Sequence, residues 1–284
     1  MHYCQLECLY RPPEETRSPV IFIHGFPDSP LMWREYVTAV ERERPWLAHR
    51  AIYTFAFPNR QTRPEPVPSW RDVRRGVLDD ELAEAFAEVI TRSPTGQMIP
   101  IVHNLGATAA WRYVRRQAET AVSPHPIEKL AAFSVGSSLR YDLGEHGLNA
   151  FTWLYQLLYI APYTFRWRPL QRLLAYLLTR AAGYQSDTAD EVWRDTYHYW
   201  EGWLWPVRLP FYLLGWRKER PFLDFHFPVL FLRSHIDRIA STKAFEAELQ
   251  RRPDCCFIEL PDVNHWFPEQ RPDLVLPILR DFLA

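Results

Sequence analysis

Lysine is nearly absent from this chain. It stands only at Lys129, Lys218 and Lys243, so arginine supplies almost all of the positive charge, a bias read as a mark of genome composition. No charge of either sign is in excess. The formal net charge is −1, which removes any electrostatic reason to expect a nucleic-acid partner. Cysteine is scarce as well, with four in 284 residues. Cys4 and Cys8 are close in sequence and Cys255 and Cys256 are adjacent, with no histidine at zinc-finger spacing from either pair. That excludes a disulfide framework, speaks against a metal site, and predicts reduced, buried thiols in a cytoplasmic protein. Long apolar runs are missing too. The longest, such as "FTWLYQLLYIAPYTF" (151–165), is broken by proline and falls short of the ~20 residues of a membrane span. Residues 1–20 hold Arg11, Glu14, Glu15 and Arg17 and no apolar h-region, so no secretory signal is expected. No phosphate loop, dinucleotide fingerprint or metal-ligand cluster occurs, and neither a cofactor nor a metal is expected. There is no internal repeat and no low-complexity tract.

Hydrophobic residues make up 47% of the chain, enough for one α/β domain with an insertion. Short apolar runs have the length and branched or aromatic content of buried strands: "PVIFIH" (19–24), "RAIYTFAF" (50–57), "MIPIVH" (98–103), "KLAAFSV" (129–135), "FPVLFLRS" (227–234) and "CCFIEL" (255–260). Helical patterns alternate with them, "VLDDELAEAFAEVI" (77–90) before the third run and "ATAAWRYVRRQAE" (107–119) after it. The alternation predicts a mostly parallel sheet with helices on both faces. It stops between 136 and 226, where the chain is helical in pattern and rich in tryptophan and tyrosine. We divide the sequence into a core, 1–138 and 223–284, and a helical cap, 139–222, over the C-terminal ends of the strands. "RQTRPEPVPSW" (60–70) reads as a proline-rich surface loop.

Three pieces carry chemistry. "HGFPD" (24–28) follows the first run; its glycine permits a sharp turn, and the N–H of Phe26 can face a developing oxyanion. Taken alone, the motif reads as an ordinary strand-ending turn. "VHNLGA" (102–107) has the form of a nucleophile elbow, in which a strained strand-to-helix corner projects its central residue. Leu105 would supply the second oxyanion N–H, and Gly106 is the small residue needed where helix and strand nearly touch. Val102 occupies a position that usually takes glycine or another small residue. Asn104 is the larger departure, because a neutral amide is a poor nucleophile. The third piece is Asp237, just beyond a strand run, with His265 in the loop between the last strand and the last helix. Taken singly, Asp237 reads as a helix cap and His265 as a surface histidine. Elbow, acid and histidine in this order, each after a strand, match the chain order of a hydrolase triad.

Over nearly its full length the chain resembles the α/β-hydrolases of the epoxide hydrolase and haloalkane dehalogenase group. "HGFPD" resembles that group's HGxP oxyanion loop, "VHNLGA" its GHDxG elbow, "SHIDRIAS" (234–241) its acid loop and "VNHWFPEQRPD" (263–273) its histidine loop. The resemblance implies an eight-stranded, mostly parallel sheet with an inserted cap. It also implies an aspartate nucleophile that forms an alkyl ester, which a histidine oriented by a second acid then hydrolyses. Asn104 takes the nucleophile position, His265 that of the base and Asp237 that of its orienting acid, with Phe26 and Leu105 as oxyanion donors. Two readings of Asn104 follow. It is either a substitution that disables an enzyme with almost no change of shape, or the natural residue of a non-catalytic binding protein that kept the site. Retention of His265 and Asp237 favours the first.

In the dehalogenases of this group a tryptophan commonly follows the nucleophile and holds halide. Leu105 stands there, which favours epoxide hydrolysis. Epoxide hydrolases donate to the epoxide oxygen from two cap tyrosines; Tyr155 and Tyr199 are the first choices here, with Tyr159 and Tyr212 as substitutes. Taken singly, each of them reads as aromatic packing under a lid. The aromatic cap suggests a lipophilic small-molecule substrate. A serine esterase is the poorest reading, since Ser137 and Ser138 follow the fourth run and do not sit on an elbow.

Overall fold

In the computed structural model the first five apolar runs form the inner strands of a seven-stranded sheet, of order β1-β3-β2-β4-β5-β6-β7. The last, "CCFIEL", forms an edge strand that is mostly half-buried or exposed rather than buried. The structure describes residues 3–25, 30–42, 49–57, 76–120, 125–137, 222–237 and 243–284, together with 169 and 173. The expected cap and its boundaries therefore lie almost wholly outside the described residues, as does the loop expected at 60–70. The strands are β1 (Gln5–Tyr10), β2 (Val20–Ile23), β3 (Ile52–Ala56), β4 (Ile99–His103), β5 (Leu130–Phe133), β6 (Val229–Ser234) and β7 (Cys256–Leu260). All neighbours pair in parallel except β1, which runs antiparallel to β3. Eight strands were expected; the described residues carry seven. β1 was not foreseen. It is an edge strand with no fully buried side chain, so "QLECLY" lacks the continuous apolar signal of the inner strands.

Every residue of β2, β3, β4 and β5 is buried, as a parallel sheet covered on both faces requires. Alternate side chains divide between two cores. On one face Ile21, Ile23, Val102, Ala132 and Phe231 pack under α2 (Val77–Arg92), α3 (Leu105–Thr120) and α4 (Lys243–Arg251). On the other, Phe22, Ile101, Phe133 and Leu232 meet a 3-10 turn (Pro30–Trp33) and α6 (Pro272–Leu283), with α1 (Arg34–Arg42) and the short α5 (Phe267–Gln270) on the same side. The two predicted helices fall inside α2 and α3.

This order places the site. β2 has β3 on one side and β4 on the other, so the loops after β2 and β4 leave adjacent strand ends in opposite directions. Such a switch point opens a crevice at the carboxyl edge of a parallel sheet.

The thiols differ in part from expectation. All four are free, but only Cys4 is buried; Cys8 and Cys256 are exposed and Cys255 is intermediate. Burial, then the nearby Glu81 carboxylate, pushes the Cys4 thiol well above its ordinary value, which removes it as a nucleophile. Glu81 accepts the main-chain N–H groups of Tyr3 and Cys4 and ties the start of the chain to α2.

Candidate active site

β4 ends at His103, and the chain turns at Asn104 directly into α3. The corner is left-handed: Asn104 has φ 50°, a conformation that costs most residues energy and that asparagine tolerates better than most. Its N–H donates to the Phe133 carbonyl at 3.2 Å, and its own carbonyl accepts the N–H of Thr108 at 3.2 Å. A strand neighbour and the first turn of α3 thus hold the corner from both sides. Leu105 opens α3, so its N–H belongs to the turn whose donors have no acceptor within the helix.

Two glycines allow the close approaches. A Cβ on Gly25 would lie 2.4 Å from the Cβ of Asn104, so the loop after β2 rests directly on the elbow. A Cβ on Gly106 would lie 2.7 Å from the carbonyl oxygens of both Ile23 and His24. Those are backbone atoms and cannot rotate away. Gly106→Ala is therefore expected to lower the unfolding free energy by about 1–3 kcal/mol, read by chemical denaturation. An unchanged midpoint would mean that α3 does not press on β2 in this way.

His24 braces the same loop. A carbonyl only accepts, so His24 Nδ1 donates to the Gly25 oxygen at 2.7 Å, and Nε2 is then free to accept the Phe57 N–H at 3.2 Å. Phe26, the residue proposed as the first oxyanion donor, lies outside the described residues.

The structure brings Asn104, His265 and Asp237 together, with the His265 ring between the other two. His265 Nδ1 is 2.5 Å from Asp237 Oδ2, and Nε2 is 2.6 Å from Asn104 Nδ2. The His265 and Asp237 side chains are 8% and 3% exposed. The bland readings, a helix cap and a surface histidine, do not describe these positions. The carboxylate accepts, so Nδ1 carries a proton; Nε2 then presents a lone pair, which the Asn104 amide N–H fills. In this arrangement the second ring nitrogen of His265 is occupied by the corner residue of the elbow.

Tyr155, Tyr159, Tyr199 and Tyr212 all lie outside the described residues, as does Ser138. Ser137 is buried past the end of β5, and its hydroxyl has no hydrogen-bond partner among the described residues. Among the described residues no group of three or more His, Cys, Asp or Glu could hold a metal, and no helix is long and apolar enough to cross a membrane.

Sequence reasoning missed three polar residues at strand ends. His103 Nε2 donates to the main-chain carbonyl of His265 at 3.0 Å, and Ser134 Oγ donates to the same oxygen at 3.2 Å. Ser234 Oγ donates to the Val263 carbonyl at 2.5 Å and accepts the Asp237 N–H at 3.2 Å. A signal was present: four of the six apolar runs place a histidine or serine at, or one residue before, their last position, namely His24, His103, Ser134 and Ser234.

Residues 20–278 match the alpha/beta hydrolase family. No curated protein matches the sequence significantly. Among solved structures, a mutant epoxide hydrolase from Bacillus megaterium is similar with TM-score 0.67 and 16% identity, over 99% of this chain and 96% of that one. A loop variant of a haloalkane dehalogenase from Bradyrhizobium elkanii gives TM-score 0.61 at 13% identity, covering 99% and 97% of the two chains. A thermophilic esterase from Thermogutta terrifontis gives 0.61 at 15% identity, covering 99% and 92%. At these identities the similarity shows a shared fold and nothing finer.

Proposed function

The chain belongs to the alpha/beta hydrolase family, and on that premise we propose that its site is built for epoxide hydrolysis through an alkyl-enzyme ester, with asparagine standing in the nucleophile's seat. The observation that carries this reading is the ordered contact from residue 104 to His265 to Asp237. A site used only for binding has no evident need for a buried carboxylate that orients a histidine lone pair toward the elbow. Asp237 holds His265 in the tautomer that can take a proton from water. The N–H groups of Leu105 and Phe26 would receive the charge that develops on the ester carbonyl oxygen as water attacks. Two or more of Tyr155, Tyr199, Tyr159 and Tyr212, from the cap proposed at 139–222, would donate to the epoxide oxygen as the ring opens.

Epoxide is preferred to haloalkane because Leu105 offers no side-chain N–H to a departing halide. It is preferred to a serine-borne ester reaction because the corner residue at the elbow is Asn104, whereas Ser137 follows β5 away from any such turn. The aromatic cap sequence supports a lipophilic small molecule as substrate. The reading is tested by assaying the Asn104→Asp variant across epoxides, haloalkanes and carboxylic esters. Epoxide turnover should dominate; preferential ester or halide release would reassign the reaction.

One observation favours a second reading, a small-molecule binding protein on a hydrolase scaffold. The Asn104 amide already satisfies His265 Nε2, so the site is at rest without a reactive partner. An asparagine encoded at position 104 by the source gene would add weight to it.

A further inference from the structure

Three adjacent strands finish in buried polar side chains that turn toward one loop. His103 closes β4, Ser134 follows β5 directly and Ser234 closes β6, and none of the three is exposed to solvent. Buried hydroxyls and imidazoles are costly unless they are bonded, and here their bonds converge. Two of them share the His265 carbonyl oxygen as acceptor, at 3.0 and 3.2 Å. The third bridges the Val263 carbonyl and the Asp237 N–H.

We propose that His103, Ser134 and Ser234 are positioning residues that clamp the main chain of residues 263–265 to the sheet edge and so set where the His265 ring stands between residue 104 and Asp237. Two donors on one carbonyl fix the orientation of the peptide that follows His265. Through its single hydroxyl, Ser234 makes the acid loop and the histidine loop move as one unit. His103 precedes Asn104 directly, so the nucleophile seat and the base share an anchor on β4. Ser134 reaches the carbonyl from a left-handed backbone conformation, φ 67°, at the end of β5. A ring displaced by about 1 Å from its working position can lose on the order of 10²-fold in rate. The proposal rests on the hydrolase reading only for that consequence; the geometry it concerns can be read without turnover.

The first arm of the test uses the chain as it stands, labelled with ¹⁵N-histidine. The proton on Nδ1, a nitrogen 2.5 Å from the Asp237 carboxylate oxygen, resonates far downfield and exchanges slowly. Ser134→Ala and Ser234→Ala should each broaden that signal or move it upfield. Thr54→Val removes another buried hydroxyl, bonded to the Phe22 carbonyl away from the site, and should leave the signal in place. His103→Gln keeps a donor near the position of the ring Nε2 and should preserve the signal, whereas His103→Leu should lose it. That pair decides the matter where a serine variant folds poorly. In the second arm the same changes are made on Asn104→Asp. Release of the alkyl-enzyme should slow by about 10²-fold with its formation unchanged. If the clamp variants lose stability as Thr54→Val does, yet leave the His265 proton and the release step untouched, the proposal is overturned. If Asn104→Asp proves inert while the proton responds as described, the positioning role stands and the hydrolase reading alone falls.

Discussion

Asn104→Asp is expected to raise epoxide turnover by about 10⁴-fold or more over the chain with asparagine, the scale seen when a hydrolase nucleophile is present rather than absent. That ratio corresponds to roughly 5 kcal/mol of barrier. The exchange acts twice. A carboxylate is ionised at neutral pH and attacks carbon without a base, which an amide does not. It also has no N–H to donate. The contact at 2.6 Å between Asn104 Nδ2 and His265 Nε2 would then be lost, and the histidine lone pair would be free to accept a proton from water. Side-chain volume hardly changes, and the left-handed corner at φ 50° also suits aspartate, so the fold should be undisturbed. The measurement is steady-state diol formation from aryl and alkyl epoxides, with both proteins matched in denaturation midpoint. A folded variant that stays inert on epoxides, haloalkanes and esters would leave the binding reading in possession.

Adding His265→Gln to Asn104→Asp should separate the two halves of the reaction. Ring opening by the aspartate requires no base, so one equivalent of substrate should be consumed at close to the parent rate. Hydrolysis of the resulting ester requires water to lose a proton to His265, and that step should slow by about 10²- to 10⁴-fold, the usual scale of general-base catalysis. Rapid-quench kinetics would show a burst of one substrate per enzyme and then a stall. Loss of the burst together with turnover would place His265 in the first step and contradict the division of roles proposed here.

The elbow was legible because its requirements are local. A corner residue that tolerates the left-handed region, and a glycine two residues on where α3 crosses β2, fall within one short stretch. The inner strands were legible for a related reason: burial on both faces leaves a continuous apolar run. β1 was not, since "QLECLY" is an edge strand of half-buried and exposed side chains with no such run. β7, the other edge strand, was legible only because "CCFIEL" keeps an apolar run although most of its side chains are half-buried or exposed. The clamp around His265 was illegible for a different reason. His103 and Ser134 lie 162 and 131 residues from the loop they bind, and no spacing rule relates a strand-ending serine to a carbonyl that far along the chain. Asp237 and His265 could be nominated only because their order along the chain matched a known arrangement. Their approach to 2.5 Å is a product of the parallel order β4-β5-β6-β7, which aligns successive strand ends.

The most direct test of the central claim, that residue 104 is the seat of a carbon-attacking nucleophile, is intact-protein mass spectrometry with peptide mapping. The Asn104→Asp, His265→Gln double variant is incubated with an aryl epoxide, beside the chain as it stands. The mass at residue 104 of the unreacted chain is checked first, because slow hydrolysis of the amide would create the aspartate in place. The account predicts a gain of one epoxide mass on the double variant, mapped to residue 104, and none on the chain with asparagine. A folded double variant that gains no mass, or an adduct mapped to a residue other than 104, would contradict it.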